Sequence, residues 1–543
     1  MLFNSYEFIL VFLPLTLAGF SLLGRHSRTL ALSWIVLASL VFYAWWRPIN
    51  ALIIAPSVLV NYLLARWLLR LGADKTRAGL ARLVLLLGIA FNIAFLGYFK
   101  YINFLSTAAN DLVGTNFVLT QVVLPLGISF ITFQKIAFLI DVHGGRIPSF
   151  TLRDYGLFVL FFPQLIAGPI VHYREMMPQF QQASCRPDRQ DLAVGLSLFV
   201  FGLFKKVVLA DGVADHVSPI YDQAAAGMQV ALFQAWIAAI GFTLQIYFDF
   251  SGYSDMALGL ARFFGIKLPA NFDSPLQATS IVDFWSRWHM TLTRFLTAYL
   301  YNPLVLWLTR RRMARRLPGV GGRTPSVGAY FQLVAGPTLL TMLVSGLWHG
   351  AGYLFILWGL LHGVYLSINH AWRLLRPRIW LDKEAYERRM RPVGFVITFL
   401  SVAVAMVVFR ASNIAAAKSV LQGMTGQHGI TLPQQLQSRL DPWKGVLQQV
   451  VSSTPDLSTQ ALAMAVAWLA VLLLIALLLP NTLQIMARFE PAIGLQHRPG
   501  RTLALARALD WAPTLPWAVT MAAMAAAAVM RIGGKSEFLY WQF

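Results

Sequence analysis

Ser345-Gly-Leu-Trp-His-Gly350 sits between two apolar stretches, one from residue 330 to 344 and the other from 353 to 368. With the motif added, each flank approaches the ~20 residues a helix needs to cross the hydrocarbon of a bilayer. An ionisable group at that depth is costly, so His349 is a candidate functional residue on physical grounds alone. A second histidine, His289, lies in Asp283-Phe-Trp-Ser-Arg-Trp-His-Met-Thr-Leu292. Two histidines in tryptophan-rich, hydrophobic surroundings point to proton chemistry inside a membrane.

The rest of the chain has the same character. Of its 543 residues 57% are hydrophobic and only 12% are charged, against about 25% charged in a soluble protein. Apolar runs cover residues 8–23, 30–46, 51–69, 83–105, 117–133, 157–171, 192–209, 231–250, 330–347, 353–372, 393–409, 461–479 and 517–530. They predict an all-α polytopic membrane protein, and they exclude a porin-like barrel, whose strands alternate apolar and polar residues over short segments. The first run lacks a basic leader and a small-x-small cleavage site, so it reads as a retained helix. Residues 253–308 are too polar to face lipid, with Asp255, Arg262, Lys267, Asp273, Asp283, Arg287, His289 and Arg294 close together. Such a segment must be shielded by other helices or line a wet cavity. Its Pro/Gly breaks at 265–269 and at Pro275 predict short, broken or re-entrant helices.

The net charge is +21. Basic connectors at 25–28, 70–82, 373–391 and 488–507 contrast with 107–116, which has no Lys or Arg. Placing the basic set in the cytoplasm puts both termini on the opposite side. The same charge could draw an anionic substrate to the cytoplasmic face. A nucleic-acid role is excluded, because no soluble domain carries a basic, groove-reading face. Cys185 is the single cysteine, so no disulfide framework or multi-cysteine metal site exists. The run Arg310-Arg-Arg-Met-Ala-Arg-Arg316 suits anionic headgroups, at about 1 kcal/mol per basic residue. No internal repeat supports an inverted-repeat transporter.

Several motifs occur in a set order. They are Phe42-Tyr-Ala-Trp-Trp46, Gly97-Tyr-Phe-Lys-Tyr101, Leu124-Pro-Leu-Gly-Ile-Ser-Phe130 and Phe162-Pro-Gln-Leu-Ile-Ala-Gly-Pro-Ile170. Phe204-Lys-Lys206, Tyr247-Phe-Asp-Phe-Ser-Gly-Tyr-Ser-Asp-Met-Ala257, residues 271–275, 284–292 and 346–350 continue the series. In this order the chain resembles a membrane-bound O-acyltransferase of the bacterial alginate O-acetyltransferase branch. The resemblance implies a ring of about 11–14 transmembrane helices, with short re-entrant helices, around a central pore. It implies a membrane core over 1–410, and a C-terminal extension over 411–543 with an extracytoplasmic loop and two more transmembrane helices.

The resemblance also implies an activity: transfer of acetyl from a cytoplasmic thioester, acetyl-CoA, across a bacterial inner membrane to an exported polysaccharide such as alginate or cellulose. No permanently bound cofactor and no metal are expected. The implied partners are membrane lipid, a polysaccharide synthase complex and a periplasmic SGNH-type acetyltransferase, engaged through the aromatic segment from Phe538 to Phe543. His349 matches the family's invariant histidine and His289 its second one.

The chemistry calls for such a residue independently, since a neutral imidazole can take the proton of a hydroxyl as it attacks a thioester, worth roughly 10²–10⁴-fold. Trp348, Trp288, Asn271, Asp255 and Tyr253 are candidate substrate-binding residues, and Arg287 and Arg294 are candidate phosphate ligands for the coenzyme. Each also has a structural reading: helix capping for Asn271 and the Tyr253–Asp255 cluster, interfacial anchoring for the arginines, packing for His289. Ser286 stands where the branch usually has arginine, and the 297–316 region departs from the usual pattern. Both changes leave the donor contacts and the polymer open. Three alternatives stand beside acetyl transfer: a pore-type transporter without acyl chemistry, D-alanyl transfer to teichoic acid, and a scaffold that only recruits a periplasmic enzyme.

Overall fold

A computed structural model describes residues 1–115, 122, 124–182, 184–185, 188–320, 326–433, 435, 451–453, 458–495, 508–534 and 539. The fold is helical and polytopic, as expected. Among the described residues eight helices are long and apolar enough to cross a membrane: Glu7–His26, Pro48–Gly72, Lys75–Val113, Arg189–Ala225, Val327–His349, Tyr353–Ile379, Lys383–Arg410 and Thr459–Leu478. Arg28–Ala44 and Leu515–Val529 are shorter apolar helices. The described strands are Ile430–Leu432 and Val451–Ser453, paired in parallel.

Two apolar runs differ, among the described residues, from the single long helices expected of them. Part of 117–133 lies outside the described residues, and the helix there starts only at Ile128 and continues to His143. Pro125 and Gly127 explain the late start. Gly127 holds φ +67°, and a Cβ on it would lie 2.9 Å from the carbonyl oxygen of Leu165, so glycine alone fits that turn. The run 157–171 is divided between Leu152–Leu160 and Phe162–Leu165, and both pieces are mostly buried. Hydropathy alone does not separate residues that face lipid from residues enclosed by other helices.

At the centre is Leu232–Arg262, a 31-residue helix buried almost throughout its second half. It runs antiparallel to Arg189–Phe204, and two glycine pairs set the approach. A Cβ on Gly202 would lie 2.4 Å from Gly252 O, and one on Gly259 would lie 2.4 Å from Gly195 O. Lipid supplies no hydrophobic drive for helices to associate, so close backbone contact between small residues carries it instead. Gly202→Val is therefore expected to destabilise the protein by about 1–3 kcal/mol through overpacking. Unfolding in SDS-containing mixed micelles would measure this, and unfolding at the wild-type SDS fraction would refute the glycine contact.

The buried contact between these helices also carries charges. Lys206 lies 2.6 Å from Asp249 and 2.8 Å from Asp211, and Lys205 lies 2.6 Å from Asp255. Both lysines sit on a π-helical turn, Lys205–Ala210, where the widened backbone directs consecutive side chains inward. The C-terminal region packs onto the broken segment after Arg262. Asn481 Nδ2 donates to Asp273 Oδ1 (3.2 Å) and Ser274 Oγ (2.9 Å). The backbone of Ile493 pairs with Leu268 and Ala270. Lys267 hydrogen-bonds Glu490 at 2.7 Å and holds that exposed carboxyl below its usual range.

Candidate active site

His349 is the last residue of the helix Gly336–His349, and the chain turns at Gly350 into Tyr353–Ile379. The two helices form a tight hairpin. A Cβ on Gly346 would lie 2.2 Å from Phe355 O, and one on Gly359 would lie 2.4 Å from Met342 O. The hairpin fixes where the histidine ends up. Its last carbonyls, which no helical N–H can reach, are taken up by the Gly97–Tyr101 turn. Tyr101 Oη donates to Leu347 O, and Lys100 Nζ donates to Trp348 O and to His349 O.

His289 arrives from the broken segment. The chain from Asn271 to Asp273 pairs with the stretch before the helix Met290–Leu296: Asp273 N donates to Arg287 O (3.0 Å) and Met290 N to Asn271 O (2.9 Å). His289 itself holds φ +43°. Such backbone conformations cost about 1–3 kcal/mol and concentrate at functional sites. Asn271 Oδ1 accepts from Thr291 N (3.3 Å) and Thr291 Oγ1 (2.8 Å), which identifies that atom as the oxygen. Its 3.1 Å contact to His289 Nδ1 therefore places the proton of a neutral ring on Nδ1. Nε2 is left with a free lone pair.

The two rings meet, with centroids 6.2 Å apart, and the ring of Trp348 lies 4.9 Å from His349 and 5.8 Å from His289. The Nε2 atoms of both histidines, Nε1 of Trp348 and Oγ of Ser345 are buried without a hydrogen-bond partner among the described residues. Buried polar groups are seldom left unpaired, so a cluster of them marks a place where something else binds.

A cavity of about 230 Å³ is lined by two members of this cluster, His349 and Trp348. Its wall includes Lys100, Asn50 and Ser129, and its outer part includes Trp46, Arg47 and Leu124, which are exposed. Arg47 lies in the connector between Arg28–Ala44 and Pro48–Gly72, so this mouth is at the opposite end from the basic connectors at 25–28 and 70–77. The volume is below the ~300–1,000 Å³ of pockets that enclose drug-sized ligands.

Of the other sequence candidates, Trp288 is buried and stacks on Phe284 at 5.5 Å. Asn271 is the orienting partner already described. Tyr253 stacks on Phe3 at 4.8 Å, and Asp255 is held by Lys205. Arg287 Nε contacts Asp283 Oδ1 at 2.8 Å. Arg294 grips Glu175 with both amino groups, at 2.8 and 2.9 Å. Residues 538 and 540–543 of the aromatic C-terminal segment lie outside the described residues.

The sequence reading passed over Lys100, Tyr101 and Ser129, which it met only inside family motifs. It also passed over His362, whose Nδ1 accepts from Trp285 Nε1 at 3.3 Å. The ring of Trp358 lies between His362 and His349, at 4.8 and 5.1 Å. The signal for His362 was the same as for His349, an ionisable residue inside an apolar run.

A family model, MBOAT, membrane-bound O-acyltransferase family, matches residues 84–317. The chain is 38% identical over 460 residues to the peptidoglycan O-acetyltransferase of Helicobacter pylori, covering 80% of this chain and 81% of that protein. It is 38% identical over 433 residues to the Probable alginate O-acetylase AlgI of Pseudomonas aeruginosa, covering 78% and 75%. The protein of the same name from Azotobacter vinelandii is 35% identical over the full length of both chains. The chain belongs to the membrane-bound O-acyltransferase family, and it is an acyltransferase.

Proposed function

We propose that the protein moves acetyl from cytoplasmic acetyl-CoA to a hydroxyl acceptor reached from the other face of a bacterial inner membrane, for O-acetylation of an exported polysaccharide. The observation that carries this reading is the buried pair of histidines, one of which lines a small cavity. The positive-inside bias supports an extracytoplasmic mouth at Trp46 and Arg47, with both termini on that side. The donor then approaches from the opposite end, where the 265–277 segment and the basic connectors lie.

The step balances without a cofactor. The acceptor oxygen attacks the thioester carbonyl while His349 takes its proton, and the carbonyl electrons move onto oxygen. Collapse of that intermediate breaks the C–S bond, and the leaving thiolate recovers a proton. His289, with its Nε2 lone pair exposed to the cluster, is placed to pass the proton toward the donor side. The relatives' names point to alginate and peptidoglycan as acceptor polymers, and cellulose is a third. A periplasmic SGNH-type acetyltransferase is the alternative immediate acceptor, through its serine.

The test uses protein oriented in vesicles, with labelled acetyl-CoA on one face and each acceptor in turn on the other. Labelled ester should form only when donor and acceptor are on opposite faces. Release of free acetate alone, or movement of solute with no ester formed, would overturn the reading.

A further inference from the structure

Beside His349 the cavity holds a second set of polar groups that the reaction as written does not use. The helix Ile128–His143 begins at the Pro125–Gly127 turn, and its first residues line the cavity wall. Ser129 Oγ accepts from Lys100 Nζ at 3.3 Å. Its hydroxyl hydrogen therefore points to another acceptor, and neither that hydrogen nor the Ser129 N–H has one among the described residues. Lys100 Nζ contacts three oxygens at once, Ser129 Oγ and the carbonyls of Trp348 and His349. A hydroxyl whose oxygen already accepts a hydrogen bond is polarised into a stronger donor. The start of a 16-residue helix adds its own partial positive charge.

A further observation indicates that a ligand belongs here. His349 Nε2 is unpartnered and its residue is 7% exposed, and it lines the same cavity. The buried side chain of Asn50 also lines it. Lys100 joins the two walls, since one nitrogen contacts both Ser129 Oγ and the His349 carbonyl, at 3.3 and 3.1 Å.

We propose that Ser129, through its hydroxyl and backbone N–H, is the donor that stabilises the oxyanion formed on the acetyl carbonyl during transfer, with Lys100 polarising it. This inference rests on the acetyl-transfer reading above. As the acceptor oxygen bonds to carbon and its proton passes to His349, the carbonyl π pair moves onto oxygen and Ser129 donates to it. When the C–S bond breaks, that pair returns and the hydrogen bonds relax. Ser129 itself neither gains nor loses a proton.

The test is kinetic, on the full chain in detergent with labelled acetyl-CoA and a soluble acceptor. Ser129→Ala should lower kcat by about 10²–10³-fold and leave KM for both substrates nearly unchanged. Ser129→Thr keeps the hydroxyl and should recover most of the loss. Lys100→Met also removes the cap on the His349 helix, so the serine variants decide. An alanine variant within about threefold of wild type, or a loss confined to KM, would overturn the proposal while leaving the acetyltransferase reading intact. A wild-type protein that forms no ester from acetyl-CoA would instead sink that reading, and the oxyanion role with it.

Discussion

His349→Ala is expected to reduce acetyl transfer by roughly 10²–10⁴-fold, the usual contribution of a general base. The loss should fall on kcat, because the ring acts on a proton that moves only in the transition state. Three features single out this residue. The residue lines the cavity, and its ring lies beside His289 with an unpartnered Nε2. Its backbone carbonyl is held by Lys100, so the base cannot drift from that position. Its edge packs against Trp358 and Phe409 at 5.1 and 5.4 Å, which restricts the ring. Alanine should leave the fold intact, because the cap on the helix end uses backbone atoms. Transfer of labelled acetyl within about threefold of wild type would remove His349 from the mechanism. His289→Ala tests the relay separately. If the two histidines act on the same proton, the double variant should lose little more than the worse single one.

The histidine pair was legible in the sequence because ionisable residues inside apolar runs are rare and each stood beside tryptophan. Its geometry was not. The 6.2 Å approach of two residues 60 positions apart depends on the hairpin at Gly350 and on the pairing of 271–273 with 287–290. Neither leaves a local pattern. The same limit hid Lys100 and Ser129. Gly97-Tyr-Phe-Lys-Tyr101 and Leu124-Pro-Leu-Gly-Ile-Ser-Phe130 read as family signatures, but only the folded chain shows that one caps the histidine helix and the other faces it across a cavity. Arg294 shows the converse. An arginine near a donor site suggests a phosphate ligand, while its forked contact with Glu175, a partner 119 residues away, cannot be anticipated from spacing. The helices themselves were read well where lipid surrounds them, as at 353–372 and 461–479. They were read poorly where protein does, as at 157–171, since an apolar run looks the same in either solvent.

Lys206→Met is expected to cost about 3–5 kcal/mol, because it strands carboxylates inside the bundle. Lys206 and Asp249 are each 2% exposed and 2.6 Å apart, and Asp211 lies 2.8 Å from the same nitrogen. An ion pair at that depth adds little net stability, since desolvation consumes most of the attraction. Removing one partner leaves the other with neither water nor counter-charge, and that asymmetry makes the effect large. Methionine keeps the length and apolar stem of lysine, so lost packing cannot explain a drop of this size. The fall should appear as a lower SDS fraction at half-unfolding. Replacing both groups, Lys206→Met with Asp249→Asn, should recover part of it, because the stranded charge is then gone. Full recovery is not expected, because Asp211 keeps its charge. A single variant as stable as wild type would mean that the carboxylates are already neutral and that no ion pair exists. A double variant no better than the single one would place the cost in the π-helical turn that carries both lysines.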